Sequence, residues 1–138
     1  QLYRNDLKNG KRLFSEIAMM AGAQDRGAGM SVSWGDYNRD GLSDIYVGNM
    51  YSNAGNRITR MSGYLDKENG SLKKIYRRFA KGNTLLVQDK DGKFNDYGPS
   101  VSMGRWAWSS VFADIDNDGW EDLVVANGYI TGQREDDL

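Results

Sequence analysis

Gly35-Asp36-Tyr-Asn-Arg-Asp-Gly-Leu-Ser-Asp44-Ile-Tyr-Val47 decides how this chain is expected to fold, and Ala113-Asp114-Ile-Asp-Asn-Asp-Gly-Trp-Glu-Asp122-Leu-Val-Val125 repeats its spacing 78 residues later. Both follow D-x-[DN]-x-D-G-x-x-D, which puts oxygen-bearing side chains at loop positions 1, 3, 5 and 9 and a glycine at position 6. Calcium takes six to eight oxygen ligands at about 2.3 to 2.6 Å, and a short chain supplies them only by curling round the ion. Gly41 and Gly119 permit the sharp turn this requires. The expected donors are Asp36, Asn38, Asp40, Asp44 and the Leu42 carbonyl in the first loop. In the second they are Asp114, Asp116, Asp118, Asp122 and the Trp120 carbonyl, so two Ca²⁺ sites are expected. Magnesium suits such a loop less well, because it demands a tight octahedron and keeps its waters. Like charges ~4 Å apart repel by about 4 kcal/mol at an effective dielectric of ~20, so clustered aspartates call for a cation. The second loop has four carboxylates and the first three, which makes the second the tighter site by expectation.

The flanks separate this pattern from an EF-hand, which needs a bidentate Glu at position 12 and a helix on each side. Position 12 is Val47 or Val125. The segments entering the loops, 31–35 and 109–113, are rich in β-formers, and Ile45-Tyr-Val47 and Leu123-Val-Val125 are continuous apolar runs that read as buried strands. Each loop then clips two strands together. Upstream, Leu2-Tyr-Arg-Asn-Asp6 with Asn9-Gly-Lys-Arg-Leu-Phe14 is echoed by Leu85-Leu-Val-Gln-Asp89 with Asp91-Gly-Lys-Phe94, each pair a hairpin with a glycine turn. Hairpin, link, strand, acidic loop and strand make a four-stranded unit. The expected fold is therefore all-β, with two blade-like four-stranded antiparallel units of a partial β-propeller and a short helical insertion between them. The first repeat covers 1–49, a linker 50–84, the second repeat 85–132 and a tail 133–138.

Leu2-Tyr-Arg-Asn5, a glycine-bearing link, and Trp34-Gly-Asp-Tyr-Asn-Arg-Asp-Gly-Leu-Ser-Asp-Ile-Tyr-Val47 resemble the FG-GAP or VCBS repeats of integrin α-subunit-like propellers. The stretch from Arg105-Trp-Ala-Trp108 through Asn127-Gly-Tyr-Ile-Thr-Gly132 is similar to the bacterial secreted branch joined to ASPIC/UnbV segments. The resemblance implies a calcium-stapled, usually extracellular propeller used for adhesion or recognition. Asn38 departs from the Asp many relatives carry. Propellers need about four to eight blades and this chain supplies two, beginning at Gln1 inside a strand motif. The chain is expected to be a piece of a longer protein, or a subunit whose missing blades come from other copies or proteins.

The 138 residues suffice for one core, and 17 Gly against a single Pro suit many tight turns. The formal charge of −1 becomes +6 when the seven loop aspartates are set aside, so the acidity belongs to the loops and gives no electrostatic case for nucleic acid. There is no cysteine and no histidine, which excludes disulfides, thiol chemistry and imidazole-based acid–base catalysis. The remaining glutamates, Glu16, Glu68, Glu121 and Glu135, are scattered. No apolar run approaches the ~20 residues of a membrane span, and no signal peptide is visible.

In the linker, Leu72, Ile75, Tyr76 and Phe79 recur at helical spacing, which predicts an amphipathic helix over 72–81 with Ser71 as N-cap and Gly82 as stop. Its other face carries Lys73, Lys74, Arg77, Arg78 and Lys81, either a solvated basic face or a docking patch for acidic glycans, anionic lipid or an acidic partner. Residues 50–57 read as a rim loop and Asp89-Lys-Asp-Gly92 as a hairpin turn. Trp34 and Trp108 are assigned to packing; Trp106 and Trp120, near the links, are candidates for a recognition surface. Together these features point to a calcium-binding, non-enzymatic propeller segment for extracellular or periplasmic recognition, adhesion or assembly, with protein or glycan partners. The competing readings are the scaffold of a secreted carbohydrate-active enzyme and a structural subunit of an extracellular assembly.

Overall fold

The computed structural model describes residues 1–65 and 70–128. The tail at 133–138, residues 129–132 of the second repeat, Glu68 and Glu135 lie outside the described residues. An N-terminal hairpin pairs β1 (Tyr3–Lys8) with β2 (Lys11–Glu16). Its two-residue turn sets Asn9 at φ 51° and Gly10 at φ 75°, the left-handed pair that an Asn-Gly hairpin favours. A one-turn helix α1 (Ala18–Ala21) stops at Gly22 and leads to β3 (Gly29–Gly35), the first acidic loop and β4 (Asp44–Asn49). Helices α2 (Asn53–Ile58) and α3 (Gly70–Ala80) follow, then β5 (Thr84–Gln88), β6 (Phe94–Asp96), a 3-10 turn at Pro99–Val101, β7 (Ala107–Ala113), the second loop and β8 (Asp122–Asn127).

Among the described residues the strands form one four-stranded sheet, β3-β4-β5-β6, and two two-stranded sheets, β1-β2 and β7-β8. The expected all-β fold of two four-stranded blades is therefore wrong. Among the described residues the architecture is mixed α/β, and no propeller ring closes. The error lies in the partnership of the hairpins. The β1-β2 hairpin does not join β3, and its Leu7, Leu13 and Phe14 are exposed. The second hairpin joins the sheet before it: β5 pairs antiparallel with β4 through Ile45↔Leu86, Tyr46↔Leu85 and Val47↔Thr84. Adjacent apolar residues explain the choice. Leu85 and Leu86 face opposite sides of a strand, and both are buried, one in each of two cores.

One core gathers Ala21, Ala23, Ile45, Leu86 and Phe94. The other, between the four-stranded sheet and β7-β8, gathers Tyr46, Leu85 and Phe112 with partly buried Val87, Leu123 and Val125. The sheets meet through small side chains. Ser110 Oγ lies 3.3 Å from Ser31 Oγ and 3.0 Å from Ser33 Oγ. A Cβ on Gly35 would stand 2.3 Å from Phe112 Cγ. The β3-β4 and β7-β8 ladders even share an irregularity, a register shift between Gly29 and Ser31 in one and between Ala107 and Ser109 in the other.

The helix expected over 72–81 runs Gly70–Ala80, with Ser71 inside its first turn rather than at the cap, and Gly82 follows at φ 90°. Residues 50–57, expected as a loop, instead contain α2, because Ser52 Oγ accepts the Gly55 N–H at 2.9 Å and caps it. The two helices pack where Gly55 meets Ala80. Their apolar residues Ile58, Leu72, Ile75, Tyr76 and Phe79 stay exposed, so α3 is not laid on the sheet by that face. Its anchor is polar: Arg78 pairs with Asp25 and donates to Thr84 Oγ1. Asn49 Nδ2 donates to the same Asp25 at 2.9 Å, and the Asn49 N–H donates to Asn83 Oδ1 at 2.8 Å. Trp34 and Trp108, assigned to packing, are about half exposed, and Trp34 meets Phe94 edge-on at 6.3 Å.

Candidate metal centres

Each acidic loop leaves a strand at a half-buried residue, Gly35 or Ala113, and re-enters one at its ninth position, so Asp44 and Asp122 are also the first residues of β4 and β8. The backbone curls by the same left-handed steps in both. Position 4 has φ 55° at Arg39 and 61° at Asn117, and position 6 has φ 83° at Gly41 and 84° at Gly119. The glycine was legible in the sequence. The left-handed step at position 4 was not, since Asn adopts it readily and Arg does not.

The internal hydrogen bonds repeat donor for donor. Asp36 accepts from the N–H of Asp40 at 3.0 Å and of Gly41 at 2.9 Å; Asp114 accepts from Asp118 at 3.1 Å and Gly119 at 2.9 Å. The position-3 side-chain oxygens of Asn38 and Asp116 accept the position-5 N–H at 3.3 and 3.2 Å. Asp40 and Asp118 accept from Leu42 and Trp120 at 2.8 Å each. Asp44 and Asp122 accept from Tyr37 and Ile115 at 3.3 and 3.2 Å. Among the described residues only Asp114, Asp116 and Asp122 gather their carboxylates closely; Asp118, and Asp36, Asp40 and Asp44 of the first loop, do not join such a group.

In the second loop Asp114, Asp116 and Asp122 bring carboxylate oxygens within 4.8 Å of one another. One ion with ~2.4 Å bonds to oxygen spans that separation, so the donor set fits a hard cation. The first loop contributes an amide at position 3, and Asn38 Nδ2 donates to Asp40 Oδ2 at 2.9 Å. Asp44 is fully buried. Burial pushes its carboxyl pKa up, the N–H groups of Gln88 and Tyr37 pull against that shift, and the charges of Asp40 and Asp36 add to it. A cation in the loop would relieve both the burial and the repulsion.

The loops also touch each other. Glu121, position 8 of the second loop, accepts the N–H of Asp36, position 1 of the first, at 2.8 Å. The Arg39 guanidinium, from position 4 of the first loop, lies 5.1 Å from the centroid of Trp120, position 7 of the second. No spacing rule in the sequence pairs these residues, which are about 80 positions apart.

Three basic residues on and just after α3, Arg77, Arg78 and Lys81, have partners within the fold. Arg77 donates to the Thr59 carbonyl at 3.1 Å, Arg78 is paired with Asp25, and Lys81 pairs with Asp96 at 2.6 Å. Lys73 is half-buried and Lys74 exposed. Trp106 is half-buried and bridges to Met50, lining a small apolar hollow with Tyr51 and Phe79. Among the described residues no helix is long and apolar enough to cross a membrane.

No curated protein and no solved structure matches the chain. Two family models do match: an FG-GAP repeat over residues 28–59 and an FG-GAP-like repeat over residues 59–125. The first covers β3, the first acidic loop and β4; the second covers α3, β5, β6, β7, the second loop and most of β8. The FG-GAP repeat is a non-catalytic structural repeat, in agreement with a non-enzymatic role. The chain thus carries two FG-GAP-type repeat segments that adjoin at residue 59, each with one acidic loop.

Proposed function

We propose that these two repeats form a calcium-binding, non-enzymatic segment that serves extracellular or periplasmic recognition or assembly. One observation carries the reading: the two loops repeat the same side-chain-to-backbone hydrogen bonds on the same left-handed turns, 78 residues apart. Asp36, Asn38, Asp40 and Asp44 with the Leu42 carbonyl would hold one Ca²⁺. Asp114, Asp116, Asp118 and Asp122 with the Trp120 carbonyl would hold another, more tightly because of its fourth carboxylate. Bound calcium supplies positive charge where aspartates converge and so locks each strand pair in register. Loops lacking a twelfth-position Glu suit the ~10⁻⁴ to 10⁻³ M affinities of extracellular modules, which favours a calcium-rich compartment. Lys73, Lys74 and the surface round Trp106 are the contacts proposed for a protein or glycan partner. Native mass spectrometry in millimolar Ca²⁺ tests the ion assignment. Two bound ions are expected, one after Asp118→Ala, and a spectrum of ion-free protein would end the proposal.

A further inference from the structure

We infer that the two acidic loops act as one coupled unit, in which Arg39 and Glu121 are positioning residues that transmit occupancy of one loop to the other. The inference rests on the calcium reading above. Neither residue belongs to an expected ligand set, yet each reaches from its own loop into the other. Glu121 directly precedes Asp122, the last carboxylate of the second loop, and its Oε2 holds the N–H of Asp36, the first carboxylate of the first. Arg39 sits between Asn38 and Asp40 on a left-handed residue. Its guanidinium lies over Trp120, whose carbonyl is an expected ligand, and Arg39 Nη1 is 3.4 Å from where a Cβ on Gly119 would stand. The contacts run in both directions. Fixing Asp122 on an ion fixes Glu121 and with it the entry to the first loop. Fixing Asn38 and Asp40 fixes Arg39 and with it the ring beside the second.

Two effects set the sign of the coupling. Two divalent ions repel each other, which opposes joint occupancy. The second loop is exposed at Asp114, Asp116 and Asp118, and the first at Asp40, although Asp44 is buried, so salt screens that repulsion from the solvent side of both loops. Shared ordering acts the other way, because a loop whose braces are already held by its neighbour loses less conformational freedom when it binds. Ordering therefore wins, and occupancy of either loop tightens the other by about five- to tenfold, at the lower end of measured coupling between sites. Added salt should raise this factor, whereas coupling through charge alone would be negative and fade.

Amide NMR separates the two loops, since the Gly41 and Gly119 N–H groups each donate to the position-1 carboxylate of their own loop. Calcium titrations followed at Gly41 should show a midpoint at least fivefold higher in Asp118→Ala than in the parent protein. In the Arg39→Ala/Glu121→Ala background, Asp118→Ala should move that midpoint less than twofold, with amide dispersion confirming the fold. A metal-free arm measures hydrogen exchange, in which Glu121→Ala should speed exchange at Asp36 and Gly41, and Glu121→Gln, which keeps an acceptor, should restore protection. Equal Gly41 midpoints in parent and Asp118→Ala, with two ions still bound by the parent, would overturn the coupling and leave the sites standing. Failure of the parent to bind any ion would overturn both.

Discussion

Gly35→Ala is the sharpest test of how the two sheets meet. A Cβ at this position would lie 2.3 Å from Phe112 Cγ, 2.5 Å from Phe112 Cδ2 and 2.7 Å from Glu121 Oε2. Carbon pairs sit best at about 3.5 to 4.0 Å, so β7 and β3 would have to part by about 1 Å. The ring cannot swing clear, because the clashing atom is the root of a ring only 9% exposed. Overpacking of this kind costs about 1 to 3 kcal/mol. A 1 Å retreat also stretches the 2.8 Å Glu121–Asp36 bond beyond hydrogen-bonding distance, at a further cost of about 1 kcal/mol for an exposed bond. The total is about 3 kcal/mol. With an unfolding entropy of about 2.1 cal/mol/K per residue, the chain's 138 residues convert that into a fall in Tm of about 10 °C. Gly29→Ala is the internal control on the same strand, since its Cβ would find nothing nearer than 3.7 Å, and it should change Tm by no more than about 2 °C. Thermal unfolding of both variants in calcium decides the matter. A Gly35→Ala protein that melts with its parent would refute the close approach of β3 and β7.

Three further outcomes are expected. Chelation should lower stability by about 2.7 kcal/mol per site when calcium had been at a hundredfold excess over its dissociation constant, and Asp118→Ala, followed by thermal melts, should remove about half of the effect. Asp25→Ala should cost about 3 to 5 kcal/mol in denaturant titrations, because it strands the part-buried Arg78 guanidinium and the Asn49 amide together. Burial pushes the Tyr46 hydroxyl from 10.0 up to about 12. The folded protein then keeps this proton where the unfolded chain has lost it, so the stabilisation is whole below pH 10 and falls by roughly 2 to 3 kcal/mol as pH rises to 12. Tyr46→Phe, compared with the parent across that range, should flatten this part of the alkaline decline; equal slopes would show that the hydroxyl does not contribute.

The loops were legible because their information is local. Nine residues carry the spaced oxygen-bearing side chains and the turn glycine, short apolar runs mark the strands on either side, and the structure keeps the same order. Sheet membership was not legible. Whether Leu85 and Leu86 extend their own repeat or the sheet before it depends on which edge is free, and periodicity along the chain does not encode that. The anchoring of α3 was not legible for a related reason. Helical spacing places Arg78 with Lys74 and Lys81 on one face, but only tertiary contact reveals Asp25 beneath it. The braces between the loops, Arg39 to Trp120 and Glu121 to Asp36, join residues with no shared motif and emerge only when the sheets pack.

The borrowed hairpin bears on how this molecule is cut for the laboratory. A boundary drawn between the two sequence repeats would strip β5 from β4 and bare the edge of Ile45, Tyr46 and Val47, a template for aggregation or for capture of the same hairpin from a sister chain. Truncations that respect the sheets, keeping residues 29–96 together, avoid that hazard.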